Sequence, residues 1–352
     1  MRRSRYLAVL SLSILAACGE QASQVPTSPD GGRPSFDKGV ACPTTAFPFD
    51  AASQQIKDLY PNGAVENAMV ARAFDISKKW SQCKVADPQG KVGTFVQTLL
   101  RDFLAGRLNV LTGPTTAERV SALIKLMYEG VGLKDPNIPL DQLAPNGDVG
   151  TGLFIPGQAL LVRTSTRNAG TKIPANAFTE NTLITIFRLK DDANPLLTDL
   201  TQSPPFYDIN ASNSSQTHDM PPGVYAPLGI CVDEAAISEF VNPAIGHNRL
   251  VSDGEGGFFF EFEVLDPITP QEFAGLGLIC TTLVNPATSA LLDGRSTLGD
   301  LALGAWEAAQ SATVSLFLPQ PAQAASSVGQ VGVGGRASAY SPFGIVDDFF
   351  GS

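Results

Sequence analysis

The stretch Leu183-Ile184-Thr185-Ile186-Phe187-Arg188-Leu189 decides the fold of this chain. Its β-branched and aromatic side chains predict a strand, and residues 223–232 and 258–265 predict two more. Turns rich in proline, glycine and asparagine separate these runs, with no helix-length amphipathic segment between them. This order favours antiparallel pairing in a β-sandwich over a parallel α/β sheet.

The preceding region, residues 42–133, predicts a small helical bundle. Between Val92 and Leu108 the apolar side chains recur at helical spacing and form a broad stripe. Thr115-Thr116-Ala117-Glu118 is a capping box, because the threonine hydroxyl and the glutamate can each bond the other residue's backbone N–H. Residues 65–80 and 51–60 predict two further helices.

Residues 134–149 are rich in proline, aspartate and asparagine, which predicts a linker between two domains. The second domain, residues 150–352, is expected to be the β-sandwich and to include an irregular C-terminal segment. The predicted fold class is therefore α+β, with an N-terminal small helical bundle followed by an antiparallel β-sandwich domain.

Leu15-Ala16-Ala17-Cys18-Gly19 has the form of a bacterial lipoprotein processing site. Three arginines precede it, followed by an apolar run of about ten residues, which is long enough for a signal peptide but too short to span a bilayer. Residues 1–17 are thus interpreted as a lipoprotein signal peptide and Cys18 as the lipidated first residue of the mature protein. An ordinary cleaved signal peptide is the alternative.

Lipidation would hold the chain on a membrane, because each acyl methylene contributes roughly 0.8 kcal/mol on entering the bilayer. Residues 18–41 contain few apolar side chains and are expected to form a flexible tether. Gly19 follows the cysteine where aspartate would favour inner-membrane retention in enterobacterial lipoproteins. By that resemblance, the expected location is the bacterial cell envelope, anchored in the outer membrane and facing the periplasm or the surface.

The charge of the chain disfavours a nucleic-acid partner. Removing residues 1–17 takes away three arginines and changes the formal net charge from −10 to −13. Beyond that segment, no cluster of lysine and arginine is available to bind a polyanion. An acidic chain with 33 glycines and 26 prolines, of which only 16% is charged, is typical of a secreted β-rich protein with many turns.

Four cysteines remain besides Cys18, an even number that suggests two disulfides in an oxidising compartment. Of the three possible connectivities, we favour Cys42 with Cys83 and Cys231 with Cys280, because each pair falls inside one predicted domain. Free thiols and metal ligation are the alternatives. Metal ligation is disfavoured because no Cys-x-x-Cys spacing occurs and both histidines are distant in sequence from the cysteines.

Lys172-Ile173-Pro174-Ala175-Asn176-Ala177-Phe178, followed by the strand from Thr182, resembles the opening of the β-sandwich domain shared by ankyrins and netrin receptors. In ankyrins that domain is a protein-binding scaffold without catalysis, so the resemblance implies an interaction role. The wider layout, including Pro205-Phe206-Tyr207-Asp208 and Ser341-Pro342-Phe343-Gly344, also resembles a group of bacterial lipoproteins. That second resemblance implies no particular activity.

Candidate catalytic residues are few. The Gly-x-Ser-x-Gly run of a hydrolase nucleophile does not occur, and Gly294 to Gly299 is one residue too long. His218 and His247 lie among turn-forming residues and are interpreted as solvated loop histidines. Glu261 and Glu263 can act as paired carboxylates. Alternation along the strand instead places both glutamates on its solvent-exposed face. The side chains on the other face then point inward, namely Phe258, Phe260, Phe262 and Val264.

Loops that bind calcium or a dinucleotide are also disfavoured. Asp253 to Gly256 and residues 135–148 offer oxygen atoms at turns, but neither has the spacing of an EF-hand loop. Gly332-Val333-Gly334-Gly335 lacks the spacing of a dinucleotide loop. Phe343, Phe349 and Phe350 are expected to close the core, with an exposed docking strand as the alternative. We therefore expect no metal and no cofactor.

These observations predict a membrane-anchored, non-enzymatic binding or structural module with an envelope protein or glycan as its partner. The first alternative is an envelope hydrolase that cleaves glycan or peptide with carboxylates distant in sequence. Perturbed acid pairs in a deep cleft would favour it. The second alternative is a carrier of a hydrophobic ligand, which would require a large apolar cavity.

Overall fold

The computed structural model of the chain describes residues 42–61, 63–109, 115–145, 147–215, 219–252, 258–284 and 329–348. All of them belong to one compact unit, Ala41–Ser352. Several features discussed above lie outside the described residues: the signal peptide and tether with Cys18, His218, Asp253 to Gly256, Gly294 to Gly299, Phe349 and Phe350.

The four expected helices are present. They are α1 (Phe49–Leu59), α2 (Ala64–Ser81), α3 (Ala86–Leu104) and α4 (Thr116–Glu129). The capping box before α4 is confirmed, since the Glu118 N–H donates to Thr115 Oγ1 at 3.2 Å and the Thr115 N–H donates to Glu118 Oε2 at 2.6 Å. These bonds satisfy backbone donors that the first helical turn leaves without partners.

In the described part of the chain, ten strands form two antiparallel sheets that pack as a sandwich. The strands are β1 (Val149–Phe154), β2 (Leu160–Arg163), β3 (Ala169–Ile173), β4 (Thr182–Arg188), β5 (Gln202–Ser212), β6 (Ala226–Asp233), β7 (Pro243–Ser252), β8 (Phe258–Val264), β9 (Gln330–Ala337) and β10 (Pro342–Asp347). The six-stranded sheet has the order β1-β4-β5-β10-β7-β8, and the four-stranded sheet has the order β2-β3-β6-β9. The predicted α+β class is confirmed.

The stretch quoted at the start, Leu183 to Leu189, supplies most of β4, and this strand is buried on both faces. Ile184 and Ile186 pack in the core between the sheets, whereas Leu183 and Phe187 pack in the core that the helices form. A strand with two buried faces needs apolar side chains at nearly every position, which explains its almost continuous hydrophobic sequence. The helices therefore cover the outer face of the six-stranded sheet.

Helix α3 lies directly on this outer face. A Cβ atom at Gly93 would approach Leu183 Cδ1 to 2.8 Å, so the glycine permits close packing of the helix on the sheet. Gln97 Nε2 donates to the carbonyl of Val149 at 2.8 Å. The segment between α4 and β1 adds Ile138, Leu140 and Leu143 to the same core.

The structure contains two disulfides, Cys42–Cys83 and Cys231–Cys280. This is the pairing that the sequence favoured. The first bridge joins the segment before α1 to the residues after α2, and the second joins β6 to the segment that follows β8. Sequence separations of 41 and 49 residues correspond to about 4 kcal/mol each in the chain-entropy view of disulfide stabilisation.

Glycines on the outer face of the four-stranded sheet make room for a short helix, α5 (Pro270–Ala274), and the residues after it. Cβ atoms added at Gly229 or Gly332 would collide with the ring of Phe273, and one added at Gly334 would collide with Ile268. The glycine-rich stretch 332–335 therefore has a packing role within β9. The residues after α5 then reach Cys280 and its disulfide.

Gly332→Ala is expected to destabilise the protein by about 2–3 kcal/mol, because overpacking forces side chains and backbone to shift. The added Cβ would lie 2.0 Å from Phe273 Cζ. Urea unfolding of the oxidised protein measures the change. Gly90→Ala is the matched control, since its Cβ meets only Leu153 atoms at 3.7 Å and beyond and should be neutral or slightly stabilising. Equal stability of the two variants would contradict the packing account.

Candidate functional site

A cleft of about 350 Å³ lies on the outer side of the four-stranded sheet, beside α5. Its lining combines one aromatic ring, two oppositely charged side chains, two amides and several small or apolar residues. These are Lys172, Pro174, Asn176, Gly223, Val224, Tyr225, Pro227, Gln271, Glu272 and Gly275. Concave surfaces of this size with a few convergent polar groups are the usual form of a ligand site.

Three local structures supply the lining. Strand β3 buries Thr171 and Ile173 and so leaves Lys172 on its outer face, because strand side chains alternate. The chain then turns at Pro174, whose carbonyl accepts from the Ala177 N–H at 3.1 Å. A second turn carries Gly223, whose φ of +78° lies in the left-handed region that glycine adopts without strain.

The Tyr225 ring is held in place from two sides. The Arg336 guanidinium carbon lies 4.7 Å from the ring centroid, within cation–π distance. The Tyr225 hydroxyl donates to Glu272 Oε1 at 3.4 Å, and Arg336 Nη2 donates to Glu272 Oε2 at 3.5 Å. With 39% of its surface exposed, Tyr225 is an accessible aromatic side chain of fixed orientation.

Glu272 belongs to a capping box at the start of α5. Its Oε2 accepts from the Thr269 N–H at 2.8 Å and from the Thr269 hydroxyl at 2.9 Å. Burial opposes ionisation of this carboxyl, but the hydrogen bonds from Thr269 and the charge of Arg336 outweigh it and hold its pKa below the usual value. Glu272 is therefore a fixed anion and a poor proton donor at neutral pH.

Lys172 differs from Arg336 in lacking an ionic partner. Its side chain is exposed at the cleft, and across the described residues it forms no ion pair. Glu272 and Arg336 neutralise each other, so the cleft keeps one positive charge. An electropositive cleft on an acidic protein attracts an anionic group.

The structure also brings together two residues that the sequence singled out, His247 and Glu263. His247 Nε2 lies 2.5 Å from Glu263 Oε1, and His247 Nδ1 lies 2.9 Å from Ser341 Oγ. The imidazole stacks on the Phe343 ring at a centroid distance of 5.0 Å. The interpretation of His247 as a solvated loop residue is wrong, since it lies in β7 and its side chain is fully buried.

The expected solvent-exposed position of Glu263 is only partly right, since 36% of its side chain is exposed. Glu263 pairs in register with His247, so both side chains lie on the face of the sheet that the imidazole shares with Phe343. Phe262 and Val264 pack on the opposite face against Leu196, whereas 55% of Phe260 is exposed. The imidazole at the matching position of β7 attracts the carboxylate, which simple alternation along one strand does not reveal.

A serine, a histidine and an acid in contact can form a hydrolase triad. Here the imidazole is inaccessible, both of its nitrogens are engaged, and none of the three residues lines the cleft described above. The contacts instead join β7 to β8 and to the residue that precedes β10. We interpret this cluster as a structural link between three strands.

Three further observations concern the core between the sheets, metal binding and membrane-spanning helices. Side chains including Phe154, Tyr207 and Phe343 are buried in the core between the two sheets. Within the described residues, no three histidine, cysteine or acidic side chains lie close enough to hold a metal ion. No helix in that same part of the chain combines the length and hydrophobicity needed to cross a membrane.

The residues of the cleft were not found by sequence reasoning, although two signals for them exist. Thr269-Pro270-Gln271-Glu272 is a visible capping box, and Pro174 marks a turn directly after Lys172. Tyr225 and Arg336 come together because β6 pairs with β9, which places Pro227 opposite Arg336. That pairing is not visible in the sequence.

Comparison of the chain with protein-family models, with curated proteins and with solved structures finds no match in any of the three. The fold and the cleft define the class of molecule: an α+β protein with a helix-covered, disulfide-bonded sandwich and a surface cleft.

Proposed function

We propose that the protein is a bacterial envelope lipoprotein, anchored through acylated Cys18, that acts as a non-enzymatic binding module. Support for the anchor comes from the sequence around Cys18, where a charged start and a short apolar run precede a small-residue cleavage site. The two disulfides suit an oxidising compartment such as the periplasm or the cell surface. Gly19 favours the outer membrane.

The binding role is carried by one observation, the cleft with its prearranged Tyr225. A side chain that is already fixed loses little conformational entropy when a ligand binds, which favours affinity. Among the described residues that line the cleft, Glu272 is the only carboxylate, and its lowered pKa suits a hydrogen-bond acceptor better than a general acid. The partner is a component of the envelope, either a protein or a glycan.

The second candidate function is hydrolysis of glycan or peptide. The contact of His247 with Glu263 and Ser341 favours only the peptide branch, since these three side chain types can serve acyl transfer. The fully buried imidazole makes this candidate the weaker of the two, because a substrate has to reach the reacting atoms.

Co-sedimentation with purified bacterial cell-wall material tests binding against hydrolysis. The full-length protein, kept in detergent, is expected to pellet with the wall material and to release no soluble fragments. Tyr225→Ala should pellet less, because it removes the exposed ring from the cleft, whereas Phe74→Ala removes an even more exposed ring from α2 and should pellet like the parent protein. Release of fragments that Glu261→Gln or Glu263→Gln abolishes would overturn the binding proposal.

A further inference from the structure

The cleft beside α5 also constrains the chemistry of its ligand. We infer that it binds an acidic saccharide, with a sugar ring lying on Tyr225 and a sugar carboxylate paired with Lys172. This inference rests on the proposed binding function and deepens it. It is drawn from the ring, the unpaired cation and the amides that share one cleft of about 350 Å³.

The Tyr225 ring supplies a surface for a sugar ring. One of its faces carries the Arg336 guanidinium, yet 39% of the tyrosine remains exposed toward solvent. The C–H face of a pyranose is apolar although its rim carries hydroxyl groups, so a flat aromatic side chain with a polar end matches both features. The hydrogen bond from Tyr225 to Glu272 and the cation–π contact with Arg336 fix the orientation of this ring before the ligand binds.

The polar lining matches the rim of a sugar. Asn176 and Gln271 each present an amide with two donors and an acceptor, and hydroxyl groups both donate and accept. Pro174, Val224 and Pro227 supply apolar surface between these amides. A purely apolar ligand would leave the amides without partners, which is unfavourable.

Lys172 distinguishes an acidic sugar from a neutral one. The protein carries a formal net charge of −10, so anionic ligands are repelled by most of its surface. In the cleft the charges of Glu272 and Arg336 cancel, and Lys172 adds an accessible ammonium group. A carboxylate can accept charge-assisted hydrogen bonds from that group.

Isothermal titration calorimetry of the full-length protein in detergent tests the inference. Trigalacturonate is the acidic probe, and a galactose trisaccharide with the same linkage is the neutral probe. Trigalacturonate is expected to bind more tightly than the neutral probe and to weaken as salt is added, because screening reduces the Lys172 contact. Tyr225→Ala and Lys172→Met should each weaken its binding by about tenfold or more.

Matched variants separate these effects on binding from a general loss of protein stability. Tyr225→Phe keeps the ring but removes the hydroxyl that donates to Glu272, so it should bind more weakly than the parent protein and more tightly than Tyr225→Ala. Phe74→Ala and Lys125→Met remove an exposed aromatic ring and an exposed lysine on α2 and α4, away from the cleft, and should leave affinity unchanged.

Three results would overturn the inference: no saccharide binding by the parent protein, equal affinity for both probes, or binding insensitive to Tyr225→Ala and Lys172→Met. If an envelope protein or peptide is bound instead and these same two variants abolish its binding, the acidic-saccharide inference fails while the proposed binding function stands. If the parent protein pellets with no wall material and binds neither probe, both fail.

Discussion

Replacing Cys18 with serine is expected to abolish the incorporation of labelled palmitate into the protein. Acylation of bacterial lipoproteins takes place on the cysteine sulfur and then on the amine of that same residue, so a hydroxyl at this position removes both attachments. Several acyl chains at roughly 0.8 kcal/mol per buried methylene make the anchor effectively permanent. The parent protein should therefore remain with membranes after high-salt washing.

The matched control for this experiment replaces Cys42 and Cys83 together by serine. These two cysteines form a disulfide in the folded protein, so their loss lowers stability without removing the acylation site. The control should incorporate palmitate like the parent protein. Equal labelling of the parent and of Cys18→Ser would contradict the proposed anchor.

The second large effect concerns Asp208, an acid buried on β5. Only 8% of it is exposed, and it stands in register with Phe187 on β4 and with Pro342 on β10. Burial raises its pKa to about 7, although the Ile209 backbone and the Asn210 side chain, at 3.4 Å, favour the charged form. In the unfolded chain the pKa returns to about 3.8.

A raised pKa in the folded state means that the folded protein holds the Asp208 proton more tightly than the unfolded chain does. This contribution to the free energy of unfolding is complete below pH 3.8 and is lost as the pH rises to about 7. A difference of about three pKa units corresponds to an upper limit of about 4 kcal/mol. Above pH 7 the folded protein contains a buried charge that water no longer stabilises.

Asp208→Asn is therefore expected to raise the free energy of unfolding at pH 8 by about 2–4 kcal/mol, because an amide of the same shape carries no charge. It should also remove the loss of stability between pH 4 and pH 7 that Asp208 causes. Urea unfolding at a series of pH values measures both. Asp141→Asn, at an exposed position, should change stability at pH 8 by less than about 0.5 kcal/mol. A less stable Asp208→Asn at pH 8 would contradict this account.

Local patterns in the sequence were enough to predict the fold class. The nearly continuous apolar run of β4, the stripe of α3 and the Thr115–Glu118 capping box each report on contacts within one element or with whatever covers it. The preferred cysteine pairing followed from placing each pair inside one predicted domain. Such signals need no knowledge of which strands are neighbours.

The burial of His247 and the contact of Tyr225 with Arg336 could not be predicted from the sequence, because both depend on which strands are neighbours. His247 lies near Asn242, Pro243 and Gly246, which are typical of turns, yet β10 and β8 pair with both edges of its strand and bury it. Tyr225 meets Arg336, which is distant in sequence, through the β6–β9 pair. The cleft is an outcome of sheet topology, and no single segment encodes it.

Intact mass spectrometry of the protein purified from a native bacterial host tests the central claim most directly. The account predicts a chain that begins at Cys18 and carries the added mass of a diacylglyceryl group, together with an N-terminal acyl chain where the host supplies one. A mass that still includes residues 1–17, or a chain that starts at an unmodified residue, would contradict it.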